Sequence, residues 1–523
     1  MRKILFTLLI FTSFISQAQI TNSLEFNKAK RLMSLDSYQE ALPILTKLKT
    51  SIPGNYNLDY LIGTCYLNQV YDKNKAIPFL ETAVKHIDKT YKNNIKTASA
   101  PEKSLYYLSK SYLLDYQLDL CIKTADILIN DSENAELIAL AKQIKFNAEN
   151  GKTLMVNPIK IKIKALEINS KQDDYTALIN ADETQMIFTS RREGSTGGLK
   201  NDEGKYYEDI YISYKKDNKW STPENIGENI NTDRNDACVT LSPDGMSLII
   251  FRDDYGIGNL YISHKDSSGW SKAVKLSKNI NSNSNETHAA FSHDGQKIYF
   301  ISNIKDGFGG KDIYFSNKLP NGEWSFPQNI GDKINTKFDE EGVYVHPDGQ
   351  KLYFSSKGHN SMGGFDIFYC NLIGDSVWSA PKNIGYPINT TDNDVFAVFS
   401  SDNKRAYYAA NKKEGMGAYD IYQIDLMSLP ERNNTIIKGY LRAADHSILK
   451  NKSIKVTNSK GHTIGKYKCS TDGLFTIVLQ QKQSYKINVS GLELVNNTLD
   501  VPNNSAFYIT QKALIIDTIA QSK

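Results

Sequence analysis

His288 to Glu341 reads H-A-A-F-S-H-D-G-Q-K-I-Y-F-I-S-N, a glycine-rich turn, K-D-I-Y-F-S-N, and then E-W-S-F-P-Q-N-I-G-D-K-I-N-T-K-F-D-E-E. From Gly342 the chain repeats it: G-V-Y-V-H-P-D-G-Q-K-L-Y-F-S-S-K, G-G-F-D-I-F-Y-C-N, V-W-S-A-P-K-N-I-G-Y-P-I-N-T-T-D-N-D. A weaker copy starts at Cys238, and partial copies start at Ala177 and Phe396. Trp220, Trp270, Trp324 and Trp378 mark the period, with gaps of 50, 54 and 54 residues. Four short strands per unit at this period predict a β-propeller.

Each unit resolves into strands A to D. In the best copy, A holds Ala289-Ala290-Phe291, B is Lys297–Ile301, C is Asp312–Phe315, and D carries Trp324 and runs towards Ile334-Asn335. B and C are apolar at consecutive positions, as strands covered on both faces must be. Asp244-Gly245, Asp294-Gly295 and Asp348-Gly349 predict hairpin turns between A and B. Gly309-Gly310, Gly363-Gly364 and Gly415/Gly417 are expected to supply positive φ in the B–C turns. There are five A-B-C sets but only four tryptophan-bearing D strands. Ile159–Asn169 ends in the same Ile-Asn as the others, so it is expected to close the ring as the missing D strand. Five blades are predicted, with six as the alternative.

Around the repeat the pattern changes. Residues 1–18 read as a secretory signal: Arg2-Lys3, an apolar Ile4–Ile15, and Ser16-Gln17-Ala18, with cleavage between Ala18 and Gln19. Residues 19–150 have helical periodicity. Ala29, Leu32, Ala41, Leu45 and Leu48 fit one tetratricopeptide-like helix pair; Gly63, Tyr66, Ala76, Leu80 and Ala83 fit a second; Ser109, Tyr112, Cys121, Ala125 and Leu128 fit a third. The step from Ala29 to Gly63 is 34 residues, the period of that repeat. A helix over Ala135–Ala148 is expected to cap the stack. Residues 151–432 hold the propeller, and 433–523 read as a small β-sandwich of alternating strands, the last near Ala513–Ile519. The fold class is thus multidomain, α plus all-β.

Lys plus Arg exceed Asp plus Glu by 62 − 58 = 4, and no basic tail appears, so composition gives no sign of nucleic-acid binding. Cys65, Cys121, Cys238, Cys370 and Cys469 are odd in number and scattered, which fits neither a disulfide framework nor a zinc site. They read as buried small residues, with a Cys65–Cys121 bridge left open. The S-P-D-G at Ser242 is similar to the Asp box of sialidases but lacks its intervening residue, so it reads as turn chemistry. His288, His293, His346 and His359 have no metal-ligand spacing. No catalytic motif, metal or cofactor is expected, and no repeat-breaking pair of carboxylates such as a glycosidase needs stands out.

One distribution marks a candidate docking face. The D–A connections are acidic: Asp173-Asp174, Asp233, Asp236, Glu286, Asp339-Glu340-Glu341, Asp392 and Asp394. The ends of strand B and the B–C loops are basic: Arg191-Arg192, Arg252, Lys305, Lys357 and Lys412-Lys413. Both sets should emerge on one face, either as a ring of inter-blade ion pairs or as a charged docking surface. The longest B–C loop, Glu193–Glu208, breaks the symmetry there.

A signal segment, tetratricopeptide-like helices, repeats of S-P-D-G…D-I-Y…W-S-x-P-x-N-I-G…I-N-T, and G-Y-L-R…S-T-D-G-L-F occur in this order in one group. The chain resembles the OmpA-family envelope proteins of Bacteroidota, including the PorE-type component of the type IX secretion system. Its repeats look like the PD40 (WD40-like, TolB-related) family, and its last module resembles the carboxypeptidase regulatory-like domain. The resemblance implies a non-enzymatic scaffold or adaptor at the periplasmic side of the outer membrane, peripherally associated, with envelope proteins of secretion or gliding machinery as partners. No counterpart of the family's OmpA-like peptidoglycan-binding domain is recognised, which argues against direct peptidoglycan binding. The alternative is an extracytoplasmic glycan-binding protein or glycosidase that uses the propeller face.

Overall fold

The computed structural model describes residues 19–510 apart from 202–203, 255–256, 375–376, 411, 413–414, 418, 429, 431, 444, 493, 495–496 and 502–507. The signal segment with Ala18, the residue Lys413 and the strand expected at Ala513–Ile519 lie outside the described residues. The chain divides into two compact units: residues up to Val156 with Thr390–Asp392, and Asn157–Asn389 with Asn393 onward.

The first unit is helical. It runs α1 (19–34), α2 (Tyr38–Ser51), α3 (Tyr56–Leu67), α4 (Ala76–Ala83), α5 (Lys103–Leu114), α6 (Leu118–Asp131) and α7 (Ala135–Leu154). Small residues let these helices approach closely. A Cβ built on Gly63 would lie 2.5 Å from Leu80 Cγ, so α3 and α4 could not pack as they do around alanine. Ala29, Ala41, Ala76, Ala83 and Ala125 are fully buried. Asn134 caps α7 by accepting the Glu136 and Leu137 N–H groups at 3.0 and 3.2 Å. That helix runs past the expected Ala148 to Leu154. Cys65 and Cys121 are buried free thiols, so the bridge left open above is not formed.

The second unit is β, and its first five sheets are antiparallel. Five sheets follow one another, each opening with strands A, B and C: Asp174–Ile179, Gln185–Ser190 and Asp209–Lys216 in the first; Asp236–Leu241, Ser247–Asp254 and Ile257–Asp266 in the second; Glu286–Phe291, Lys297–Ser302 and Asp312–Asn317 in the third; Glu340–Val345, Lys351–Ser356 and Asp366–Gly374 in the fourth; Ala397–Phe399, Arg405–Ala410 and Asp420–Leu426 in the fifth. Short D segments follow in the first four. In the fifth the outer position is taken by Ile161–Ala165, antiparallel to Asp420–Leu426 with Ile163 opposite Ile424. The A strands touch in cyclic order, the fifth returning to the first, so the sheets form a closed ring.

One asparagine per sheet ties D to C. Asn231 accepts the Ile210 N–H at 2.9 Å and donates to the Ile210 carbonyl at 3.0 Å. Asn281 does the same to Leu260, Asn335 to Ile313 and Asn389 to Ile367, all within 2.7–3.0 Å. Asn169 closes the set on Ile421, at 2.8 and 3.0 Å across 252 residues of sequence.

The B–C glycines differ from expectation. Gly309, Gly310, Gly364 and Gly417 do not have positive φ; their need is space. A Cβ would come within 2.0 Å of the Phe338 carbonyl at Gly309, 2.4 Å of Asp339 Oδ1 at Gly310, 2.1 Å of Asn393 Oδ1 at Gly364 and 2.1 Å of the Gln172 carbonyl at Gly417. In the third, fourth and fifth sheets the B–C loop presses on the connection entering the next sheet, and only a bare backbone fits at these positions. Positive φ is found at the A–B turn glycines Gly245, Gly295 and Gly349, and in the long first B–C loop at Gly194, Gly197, Gly198 and Gly204.

Beyond the ring lie a three-stranded sheet (Leu474–Gln480, Asn434–Tyr440, Tyr508–Thr510) and a four-stranded sheet (Thr463–Lys468, Ser453–Asn458, Gln483–Val489, Thr498–Val501). They share a core around Ile437, Ile454, Phe475 and Ile487. This module sits on the A–B turns of the ring. Lys438 pairs with Asp182, Arg432 Nε lies 3.2 Å from Asp348 and Asn434 donates to Asp348 at 3.1 Å. Asp294 accepts the Lys466 N–H at 3.0 Å, and Ile436 and Val478 pack on Ala181. The turn aspartates therefore also hold the module.

Asn169→Ala removes two buried hydrogen bonds and orphans both partners on Ile421, and should destabilise the ring by about 2–4 kcal/mol. All four tryptophans lie between residues 220 and 378, so tryptophan fluorescence during denaturation reads this unit. A loss below about 0.5 kcal/mol would mean that the Ile161–Ala165 pairing suffices without the clamp.

Candidate functional site

The acids on the expected docking face are mostly internal. At the start of the first four A strands an acid accepts the backbone N–H of the residue four earlier, and in the second to fourth also its hydroxyl. Asp174 accepts the Ser170 N–H at 2.6 Å, and Asp236 accepts Thr232 N–H and Oγ1, both at 2.6 Å. Glu286 accepts from Ser282 at 3.2 and 2.7 Å, and Glu340 from Thr336 at 3.2 and 2.8 Å. The second partner depends on acid length. The aspartates meet arginines, Arg192 to Asp174 and Arg252 to Asp236, both at 2.6 Å. The longer glutamates meet serines on strand B, Ser302 at 2.9 Å and Ser356 at 2.8 Å.

Asp174, Asp236 and Glu340 are 0% exposed, so they staple strands and present no surface. With only hydroxyls and amides for company, burial pushes the Glu340 carboxyl up to about 8. Glu286 is raised for the same reason.

The ion pairs expected between blades lie largely inside single sheets: Arg191–Glu208, Arg192–Asp174, Arg252–Asp236, and Lys357–Asp339 at 2.7 Å. The bases sit at or just after the end of strand B, beside the start of strand A or, for Arg191, of strand C in the same sheet, so the nearest acid is their own. Asp233 is exposed, and the long loop packs beside it at Gly197, where a Cβ would lie 2.9 Å from Asp233 Cβ. That loop is anchored by Arg191 on the Tyr206 carbonyl (3.0 Å) and by Asp209 on Thr196 N–H and Oγ1 (2.6 and 2.8 Å). The Asp392 N–H donates to Thr390 Oγ1 at 3.2 Å, and the Asp394 N–H to the Phe365 carbonyl at 2.7 Å. Lys305 is exposed.

The structure instead gathers a group that the repeat does not predict. The register pairs Asp174, Asp236, Glu286 and Glu340 with equivalent positions on strand B, so the next residues inward correspond: Tyr175, Ala237, Thr287 and Glu341. One step further stand Thr176, Cys238, His288 and Gly342. Glu341 is thus the one carboxylate of its row and His288 the one imidazole of its row, and they meet. His288 Nδ1 is 2.8 Å from Glu341 Oε2, Thr287 Oγ1 donates to the same oxygen at 3.1 Å, and the Lys311 ammonium pairs with Oε1. The His288 ring lies 6.1 Å from that of Phe396, which immediately precedes the fifth sheet. Burial alone would raise the Glu341 carboxyl, but His288 and Lys311 outweigh it and hold it at about 2. On the other side of the ring, Cys238 Sγ donates to the Thr176 carbonyl at 3.0 Å and its N–H to Thr189 Oγ1 at 3.0 Å.

Sequence reasoning named Glu341 as one acid among many and missed Thr287, His288 and Lys311 as its partners. Aligning the copies on their Asp-Gly turns and asking where one departs would have found them. The other histidines are apart: His293 Nε2 lies 2.8 Å from the Ile464 carbonyl, His346 is buried beside Asp348, and His359 Nε2 is 2.9 Å from the Ile334 carbonyl. Among the described residues no group of three His, Cys, Asp or Glu is placed to hold a metal ion, and no helix is long and apolar enough to cross a membrane.

The two glutamates give stability opposite pH dependences. The folded Glu340 keeps a proton that the unfolded chain releases above 4.5, so its contribution to stability falls as pH rises from about 4.5 to 8. Glu341 contributes fully above 4.5, and that contribution is lost as pH falls towards 2. Glu340→Gln should flatten the loss of stability between pH 5 and pH 8, read as denaturation midpoints at both values. An unchanged slope would show that the carboxyl is already ionised in the fold.

Neither a protein-family model nor a curated protein matches this chain. Among solved structures it is similar to TolB from Acinetobacter baumannii, at 14% identity over 50% of this chain and 56% of that one, with a TM-score of 0.31. It is similar to a putative TolB from Agrobacterium tumefaciens at 15% identity, covering 62% of this chain and 98% of that one, TM-score 0.30. It is also similar to a GH43 beta-xylosidase/alpha-arabinofuranosidase from a compost microbial metagenome, in complex with xylotriose, at 13% identity over 55% and 98%, TM-score 0.34. The chain spans little more than half of the first of these. None of these likenesses shows a family for the chain.

Proposed function

We propose that this chain is a non-enzymatic scaffold of the cell envelope: tetratricopeptide-like helices, a five-bladed PD40-type propeller and a carboxypeptidase regulatory-like sandwich that dock other envelope proteins at the periplasmic side of the outer membrane. The observation that carries the reading is the fate of the acids. A ring with catalytic carboxyls keeps them at the axis with room for substrate, one protonated and one ionised. Here a raised acid, Glu340, and a lowered one, Glu341, are adjacent, but consecutive strand residues face opposite sides. Glu340 is sealed in a staple, and Glu341 is neutralised by Lys311 and His288. The resemblance of module order to secretion and gliding components is the basis for the choice of compartment and partners.

A second reading, glycan binding or hydrolysis, is favoured by the same inner-edge group. An ionised carboxylate, an ammonium and an imidazole beside Phe396 form a set able to hold sugar hydroxyls against an aromatic ring.

Crosslinking of the tagged chain in its own envelope, followed by affinity capture, should enrich outer-membrane or secretion proteins joined at mapped positions. Purified protein should leave a panel of chromogenic glycosides untouched. Hydrolysis abolished by Glu341→Gln would overturn the scaffold in favour of the glycosidase.

A further inference from the structure

The first unit contains a loop that is held the way a protein holds a peptide. Asp88–Ser99, between α4 and α5, has neither helix nor strand of its own. Its ends are pinched together: Ile87 bridges Ala100, the Asp88 N–H donates to the Ala100 carbonyl at 3.0 Å, and the Ala100 N–H to His86 at 2.9 Å. The loop therefore leaves the helices and returns at one point, and can change position without unwinding either neighbour.

Its middle is gripped by side chains. Lys30 Nζ of α1 donates to the Asn93 carbonyl at 2.9 Å, Asn57 Nδ2 of α3 to the Asn94 carbonyl at 3.3 Å, and Asn55 Nδ2 to the Ile95 carbonyl at 2.8 Å. Three consecutive carbonyls are thus read by three side chains from two helices. The Tyr56 N–H takes a fourth carbonyl, Ala98, at 2.7 Å. Ile95 is the apolar anchor, packed against the core of α1–α3. Tyr91 places its hydroxyl on Asn57 Oδ1 at 2.7 Å and its ring edge-on to Tyr60, at 6.4 Å. Asn55 and Asn57 are 2% and 0% exposed, whereas Lys92, Asn93, Asn94, Lys96 and Ala98 face solvent.

Buried amides that donate to main-chain carbonyls, with one apolar pocket, make a receptor for an extended peptide, since such contacts read backbone more than sequence. If the loop leaves, those amides lose their partners in a dry site, which is costly unless another carbonyl arrives.

We infer that the groove formed by Lys30, Asn55, Asn57 and Tyr60 is a peptide-binding site occupied in cis. Asp88–Ser99 is its internal pseudo-ligand, displaced by an extended segment of a partner protein that brings an apolar anchor in place of Ile95. This gives the scaffold a docking mode and rests on that reading only for the existence of a partner, because the loop's own sequence serves as probe.

The test uses the chain from Gln19 onward, with Asp88–Ser99 replaced by a short Gly-Ser linker, and a fluorescent synthetic peptide of residues 88–100. Saturable binding is expected, at least tenfold weaker to the unaltered chain, whose loop competes. It should be lost with a peptide carrying Ile95→Asp and weakened by Lys30→Ala or Asn57→Ala in the protein. Where circular dichroism shows the linker variant to be unfolded, Ile95→Asp in the intact chain frees the loop instead. That variant should gain peptide binding together with faster tryptic cleavage at Lys92 and Lys96. Absence of binding to a folded, loop-freed protein, or equal binding with and without the loop, overturns the inference. A glycan-binding protein that fails to recover envelope partners could still pass this test, so the two readings fail separately.

Discussion

An amide side chain standing in for a peptide group holds the ring of sheets together. A strand running beside another offers one N–H and one C=O per paired residue, and an asparagine offers the same two groups from its side chain. In each sheet the asparagine of the Ile-Asn step takes both groups of one strand C residue. Strand D can then stop being a strand and turn towards the next sheet without leaving that residue unsatisfied. Four of these clamps are local. The fifth, Asn169 on Ile421, converts a row of sheets into a circle. Closing the ring leaves no end sheet with a bare face, and the outer edge of each of the first four sheets is only a short D segment, which limits unpaired backbone.

Much of this was readable before any coordinates. The tryptophan spacing, the Asp-Gly turns and the Ile-Asn ending of the tryptophan-free segment led to Ile161–Ala165 pairing with the last sheet, because each reports local backbone chemistry. The B–C glycines were assigned a positive φ and turned out to need absence of bulk, because the carbonyl that excludes a side chain at Gly309 comes from Phe338, in the next connection. The acids misled for a related reason. Asp236 and Glu340 look like surface charge in a list, yet each is buried by a threonine four residues upstream. Even the choice between aspartate with arginine and glutamate with serine becomes meaningful only when strands A and B lie side by side. The group at Glu341 was hidden because its members come from two sheets and are defined by departure from the repeat.

The distribution of charge then has a simple logic. Where a staple acid meets an arginine, a guanidinium faces it under cover; where it meets a serine, burial raises the carboxyl, and Glu340, at about 8, keeps its proton at neutral pH. The ring thus uses acids for shape. The pattern is broken in two places, at the inner edge of the third and fourth sheets and in the long loop of the first.

The closing strand also sets an order of events. Asn169 is made early and Ile421 late, so no complete ring exists while the chain is still emerging, and the first sheets must persist with an open seam. Non-local closure of this kind is slow relative to helix formation. The module after residue 433 follows the ring in the chain and fastens onto turns on either side of the closing fifth sheet, Asp182 in the first and Asp348 in the fourth. It acts as a latch across the seam: it can engage both turns together only once the circle is complete, and from then on reopening the ring means undoing the latch as well.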